Sequence, residues 1–229
     1  MPYCETIITP QHTHIAIWRL TEQLDALLAM WGDAPLPAHY HTAQALKRKR
    51  EIVATALLMR QHFGQDIELR HAPNGAPIID NGYISISHTS THIAIATHAT
   101  VQVGVDIETL GERAPRVAPR VLSQSEIENL PGNDRTQCIS ISDRSAAIHI
   151  AWSVKEAIYK IHPTAVEFRR DIILTQPITL PTGTITALVS DSTTPITAHY
   201  TLYNDCSLAW AVIQKKAASL RETQPHRFV

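Results

Sequence analysis

The chain has 229 residues, 44% hydrophobic and 18% charged, with a formal net charge of −1. That length and apolar content suffice for a buried core, as one large domain or two small ones packed together, and argue against a disordered chain. A net charge near zero provides no global field for nucleic acid or an anionic membrane, so an anionic ligand has to be held by a local site. The first twenty residues lack a basic segment followed by an apolar run, and no later stretch approaches the roughly 18 uninterrupted apolar residues of a membrane span. Neither export nor membrane insertion is expected. Cys4, Cys138 and Cys206 are odd in number and far apart, which disfavours a disulfide framework or a zinc knuckle and points to a reducing cytoplasm.

In chain order, Ile15 to Leu20 alternates as a strand does, and from Thr21 onward Leu24, Leu27, Leu28 and Trp31 recur at helical spacing. Beyond the turn at Pro35 and Pro37, a long helix is predicted over Ala43 to Phe63, stopped by Gly64 and carrying the basic run Lys47, Arg48, Lys49 and Arg50. After the Gly75, Pro77 and Asn81-Gly82 punctuation, Tyr83 to Ser87, Ile93 to Thr97 and Val101 to Glu108 read as three strands of an antiparallel meander. Thr109 to Pro119 reads as a connection, and Ser123-Gln-Ser-Glu126 has capping-box spacing. Leu130 to Asp143 reads as loop, Ala146 to His162 as a helix ended by Pro163, and the later segments rich in Thr, Ile and Val as four strands. The residues after Lys215 look like a polar tail. The pattern predicts an α+β fold of two similar α/β lobes, residues 1–110 and 111–229, each with a small antiparallel sheet against helices and a ligand site in the cleft between them.

Three short segments carry chemistry. In Gly104-Val-Asp-Ile-Glu108 the period of two puts Asp106 and Glu108 on one face, with Gly104 leaving room for a close approach by a ligand or a helix. In Trp152-Ser-Val-Lys-Glu-Ala-Ile-Tyr-Lys160 helical spacing aligns Trp152, Glu156 and Lys160, with Lys155 beside Glu156. Alone, the first is an ordinary half-exposed strand, and the second a surface ion pair worth about 0.3–0.5 kcal/mol. Together, three carboxylates meeting at one point require a cation, and oxygen-only ligands beside phosphate suit Mg²⁺. Upstream, Ser87 and His88 end a predicted strand where they can donate to an anion, and the run Lys47 to Arg50 offers a second phosphate site.

In this order the segments resemble the 4'-phosphopantetheinyl transferase superfamily, marked by a Gly-x-Asp-x-Glu strand and a downstream Trp-x-x-Lys-Glu-Ala-x-x-Lys helix. Ile86-Ser-His88 and the Gly75-x-Pro77 loop also match, so the resemblance runs from about residue 75 to 160. The doubled layout looks like the surfactin-synthetase-activating type, a monomeric single-chain pseudodimer. The resemblance implies Mg²⁺-dependent transfer of the phosphopantetheine arm of coenzyme A to a serine of an apo acyl or peptidyl carrier protein. It implies Asp106, Glu108 and Glu156 as metal ligands, Glu156 as the base and Lys160 at the leaving phosphate. It further implies Lys155 at the pyrophosphate, Ser87 and His88 near the 3'-phosphate, and coenzyme A contacts from Gly75, Pro77 and the basic residues Lys47, Arg48 and Arg50. One departure is Ala76, where many relatives carry a lysine in this loop.

Three other readings compete. A coenzyme A- or carrier-binding protein without catalysis would have lost a carboxylate or a helix lysine, and all are present. Zinc ligation by His12-x-His14 or His39-x-His41 lacks further ligands at recognisable spacing. Nucleic-acid binding through Lys47 to Arg50 lacks a basic domain and an aromatic platform.

Overall fold

The computed structural model describes residues 4–63, 68–131, 141–162, 167–203 and 205–213. Along the strand β2 (His14–Arg19), Ile15 and Ile17 point one way and Ala16 and Trp18 the other, and all four are buried. The strand β6 (His92–His98) is buried almost end to end. Strands apolar on both faces are stable only in a sheet covered on both sides, and the layers follow from that.

The first sheet has four antiparallel strands, β1 (Cys4–Ile8), β2, β6 and β5 (Tyr83–His88), in the order β1-β2-β6-β5. One face, through Ala16, Trp18, Ile93 and Ile95, packs against Leu27 and Trp31 of α1 (Leu24–Trp31) and Val53, Ala54 and Leu58 of α3 (Leu46–Phe63). A short helix, α2 (Ala38–Thr42), precedes α3, and a two-stranded hairpin, β3 (Arg70–His71) and β4 (Pro77–Ile78), follows it.

The second sheet has five antiparallel strands: β7 (Val103–Thr109), β11 (Cys206–Val212), β10 (Ile196–Tyr203), β9 (Thr182–Val189) and β8 (Ile172–Leu174), in that order. Val103, Val105 and Ile107 of β7, with Leu208 and Val212 of β11, meet Ile15, Ile17, Ala94 and Ala96 of the first sheet in a shared core. The far face, through Ile185, Ala187, Ala198, Tyr200, Ala209 and Ala211, is covered by α6 (Ile141–Ile161) and α4 (Arg113–Val121). The layers thus run helix, sheet, sheet, helix. No helix among the described residues is long and apolar enough to cross a membrane.

Antiparallel sheets packed on helices were expected; the assignment of β7 was not met. It does not complete a meander with β5 and β6 but opens the second sheet by pairing with β11, Asp106 opposite Ala209 and Glu108 opposite Ser207. The boundary between sheets therefore falls before Val103 rather than after residue 110, because the first sheet's edge and β7 are joined through side chains, not a backbone ladder. Val105 N–H donates to Ser85 Oγ at 3.0 Å. The expected connection at Thr109 to Pro119 is largely the helix α4, in which Ala114 and Ala118 enter the core one turn apart and Pro115 sits in the first turn, where a missing N–H costs little. The capping box forms as expected at α5 (Gln124–Glu128), after which α6 and α7 (Phe168–Asp171) complete the helices. α6 starts at Ile141, earlier than Ala146; the predicted stop at Gly64, most of the predicted 130–143 loop and the tail lie outside the described residues.

Candidate active site

The site rests on a close contact between β7 and α6. A Cβ added at Gly104 would stand 2.0 Å from the Ala157 carbonyl oxygen, so only glycine lets the helix backbone lie on the strand at this point. The face of β7 opposite the intersheet core therefore meets α6, and Asp106 and Glu108 share that face with Gly104. Lys160, near the end of α6, donates from Nζ to the Val105 carbonyl at 2.8 Å and to Asp106 Oδ1 at 2.9 Å.

Asp106 is 4% exposed. Its Oδ1 also accepts from Ser87 Oγ at 2.8 Å, whereas Oδ2 is buried with no hydrogen-bond partner. Glu156 Oε1 accepts from the indole N–H of Trp152 at 3.2 Å, which explains the tryptophan one turn earlier. The guanidinium of Arg113 lies 5.0 Å from the centre of that indole. Burial, and then the Asp106 charge, push Glu108 up to about 7, against the pull of Arg113. Glu156 is raised for the same two leading reasons. Carboxylates that resist ionising together, beside an orphaned buried oxygen, are a donor set for a hard cation such as Mg²⁺. The set stands open: among the described residues, the ligand atoms lying within 4.8 Å of one another are those of His92, Asp205 and Cys206. Glu108 and Glu156, both partly exposed, have to turn inward to share an ion with Asp106.

Lys160 also lines a cleft of about 910 Å³, with Tyr159, His162, Ser85 and the loop carrying Gly75 and Pro77. Gly75 has a φ of +84°, which this turn requires and a side chain resists. The carboxylates are not in the wall of this cleft, so Lys160 is the residue joining the two. One residue beyond Ser87, His88 Nε2 lies 3.3 Å from Arg48 Nη1 and 3.6 Å from Glu51. Lys47 and Arg48 also pair with Glu51, at 3.9 and 3.3 Å, so this buried acid gathers two cations and an imidazole at the start of α3. Glu51 was not anticipated; its spacing to Lys47 and Arg48 was the available signal.

Two expectations require correction. Lys155 does not share the flank of Glu156: it is fully buried, donating to Glu126 Oε2 at 2.8 Å and to the Val121 and Phe168 carbonyls at 3.0 Å each. Adjacent helix positions diverge by about 100°, so Lys155 points into the core when Glu156 faces β7. Arg50 likewise is engaged by the fold, its guanidinium donating to backbone carbonyls. It ties the carbonyls of Glu22 and Leu20 to α3, at 2.7 and 2.9 Å. Ser87, expected near a phosphate, is engaged with Asp106.

His149 of α6 anchors the far end of the carboxylate strand. Its Nδ1–H donates to the Ser145 carbonyl at 2.8 Å, and Nε2 accepts from Gly111 N–H at 3.1 Å, which fixes a neutral tautomer. Burial pushes its pKa below the ordinary 6.5. Above 6.5 the ring is neutral folded and unfolded; below it the unfolded chain takes the proton first, so His149 makes stability fall with pH until the folded value is passed. Glu108 acts oppositely, since its raised folded value favours the folded state as pH falls from about 7. The difference between wild type and His149→Gln isolates the histidine: denaturant unfolding from pH 7 to 5 should show the acid-side loss reduced in the variant, by up to about 1.4 kcal/mol per pH unit. Identical slopes would exclude this role.

A buried strand carboxylate ion-paired to a helix lysine, with two further acids beside it, is an arrangement whose chemistry suits cation-assisted group transfer involving an anionic substrate. Residues 102–213, spanning β7 to the end of the second sheet, match the family model of the 4'-phosphopantetheinyl transferase superfamily. The match supports a transferase acting on the phosphopantetheine group. No curated protein matches the chain.

Proposed function

We propose that the chain transfers the 4'-phosphopantetheine moiety of coenzyme A to a serine of an apo acyl or peptidyl carrier protein, releasing 3',5'-ADP. The observation that carries this reading is the junction of Asp106 with Lys160, flanked by Glu108 and Glu156, inside the segment matching the superfamily. Asp106, Glu108 and Glu156 would hold Mg²⁺, which supplies neutralisation of the charge developing on the diphosphate. Glu156, its basicity raised by burial and its side chain aimed by Trp152, takes the serine proton. The serine oxygen bonds to the phosphorus bearing the pantetheine arm as the bond to the bridging oxygen breaks. Lys160 stabilises the departing phosphate.

Lys47, Arg48 and His88 form the anion pocket suited to the 3'-phosphate, and the Gly75 to Pro77 loop borders the cleft open to the rest of coenzyme A. Lys155 and Arg50 serve the fold. The two helix-backed sheets correspond in this reading to the lobes of a monomeric pseudodimer, acting in the cytoplasm.

The chain incubated with coenzyme A, Mg²⁺ and apo carriers from fatty-acid, polyketide and peptide systems should add the phosphopantetheine mass to at least one of them. Asp106→Asn should lower the rate about 100- to 1,000-fold or more with the fold intact by circular dichroism. Absence of mass gain on every carrier would overturn the transferase reading, and full activity of Asp106→Asn the metal assignment.

A further inference from the structure

On the opposite side of β7 from the carboxylates, a second cluster of donors joins the two sheets. Cys206, fully buried at the start of β11, has Sγ 3.1 Å from His92 Nδ1, and His92, fully buried at the start of β6, has Nε2 3.7 Å from Asp205 Oδ1. Asp205 Oδ1 in turn lies 3.8 Å from Cys206 Sγ. These are the described residues whose three ligand atoms lie within 4.8 Å of one another. The proposed transfer uses none of them.

Two features exceed an ordinary buried hydrogen bond. His92 Nδ1 lies 3.0 Å from Thr91 Oγ1, whereas Nε2 is buried without a hydrogen-bond partner. With Nδ1–H donated to Thr91, the Nε2 lone pair faces Asp205, and a ligating histidine ordinarily has such an outer partner on its second nitrogen. Asp205 is half exposed, so one side of the cluster opens to solvent.

We propose that His92, Asp205 and Cys206 form a binding site for a zinc-type divalent transition ion, with water completing a tetrahedral set. A thiolate, an imidazole and one carboxylate select such an ion over Mg²⁺ or Ca²⁺, which take oxygen ligands. With bonds of about 2.3 Å to sulfur and about 2.0 Å to nitrogen or oxygen, tetrahedral ligand atoms stand roughly 3.3–3.6 Å apart; Asp205 Oδ1 lies 3.7 Å from His92 Nε2 and 3.8 Å from Cys206 Sγ, so the ligands close slightly on the ion. The ion replaces the thiol proton, which leaves to solvent. Because His92 belongs to the first sheet, Cys206 to the second and Asp205 to the turn leading into Cys206, the ion clamps the sheets together. Cys206 pairs with Thr109, one position beyond Glu108, so the clamp sits at the end of the carboxylate strand.

The test is titration of the full chain, freed of metal with a chelator, using Co²⁺ and then Zn²⁺ in the presence of excess Mg²⁺. One equivalent of Co²⁺ should produce a thiolate-to-metal charge-transfer band that Zn²⁺ displaces. Zn²⁺ at a hundredfold excess over its dissociation constant should raise the thermal midpoint by about 5–10 °C. Cys206→Ser should abolish the band, and Asp205→Asn, at a half-exposed turn and therefore tolerated by the fold, should weaken binding at least tenfold. Asp106→Asn should leave the band unchanged. No band, a band that survives Cys206→Ser, or unaltered affinity in Asp205→Asn would each overturn the site.

Discussion

Gly104→Ala is expected to destabilise the protein by about 3 kcal/mol or more and to lower transfer activity sharply, although position 104 carries no chemistry. The added methyl group would stand 2.0 Å from a backbone carbonyl of α6 and 2.9 Å from the Ile161 side chain, and a helix backbone cannot yield as a flexible side chain can. Overpacking typically costs about 1–3 kcal/mol, and more where backbone must move. The same displacement lifts Lys160 from Asp106, whose contact is 2.9 Å. Chemical denaturation and the carrier-mass assay measure the two effects, and a variant with wild-type stability would show that α6 does not bear on β7 as described.

The two lysines of the helix motif should separate cleanly. Lys155→Met should cost about 3–5 kcal/mol, because Glu126 would remain buried without the cation it pairs with at 2.8 Å. Glu126 is further held by Ser123 N–H at 2.7 Å and Leu174 N–H at 2.8 Å, so its loss of charge balance reaches α5 and β8 together. Lys160→Met also leaves a buried acid, Asp106, without its cation, so it too should cost stability, by less because its own head group is 26% exposed at the edge of the cleft, and it should lower transfer far more. Unfolding curves and single-turnover transfer by both variants decide the matter; a reversal of the two effects would place Lys155, not Lys160, at the phosphates.

Much of the site was legible in local pattern. Alternation along Val101 to Glu108 assigned the faces of β7 correctly, because the pleat has a period of two whatever sheet the strand joins. Helical spacing aligned Trp152, Glu156 and Lys160, and the first of these does orient the second. The same spacing did not place Lys155, since a lysine flanking a functional face reaches either the ligand or the core according to what packs on the neighbouring flank. Glu126, some thirty residues earlier, decides it. Likewise Arg50 belongs to the basic run in sequence, but its hydrogen bonds go to carbonyls of the segment linking β2 and α1.

The residue order by itself determined the periodicities, the capping box at Ser123, the glycine needed at 104 and the presence of two acids on one strand face. Only the tertiary structure decided which sheet β7 joins, which lysine meets Asp106, and that His92 lies against Cys206. Each of these is a contact between segments distant in the chain. Strand pairing and ion pairing at that range depend on which buried surfaces and charges find partners in the packed molecule, and no local spacing encodes that choice.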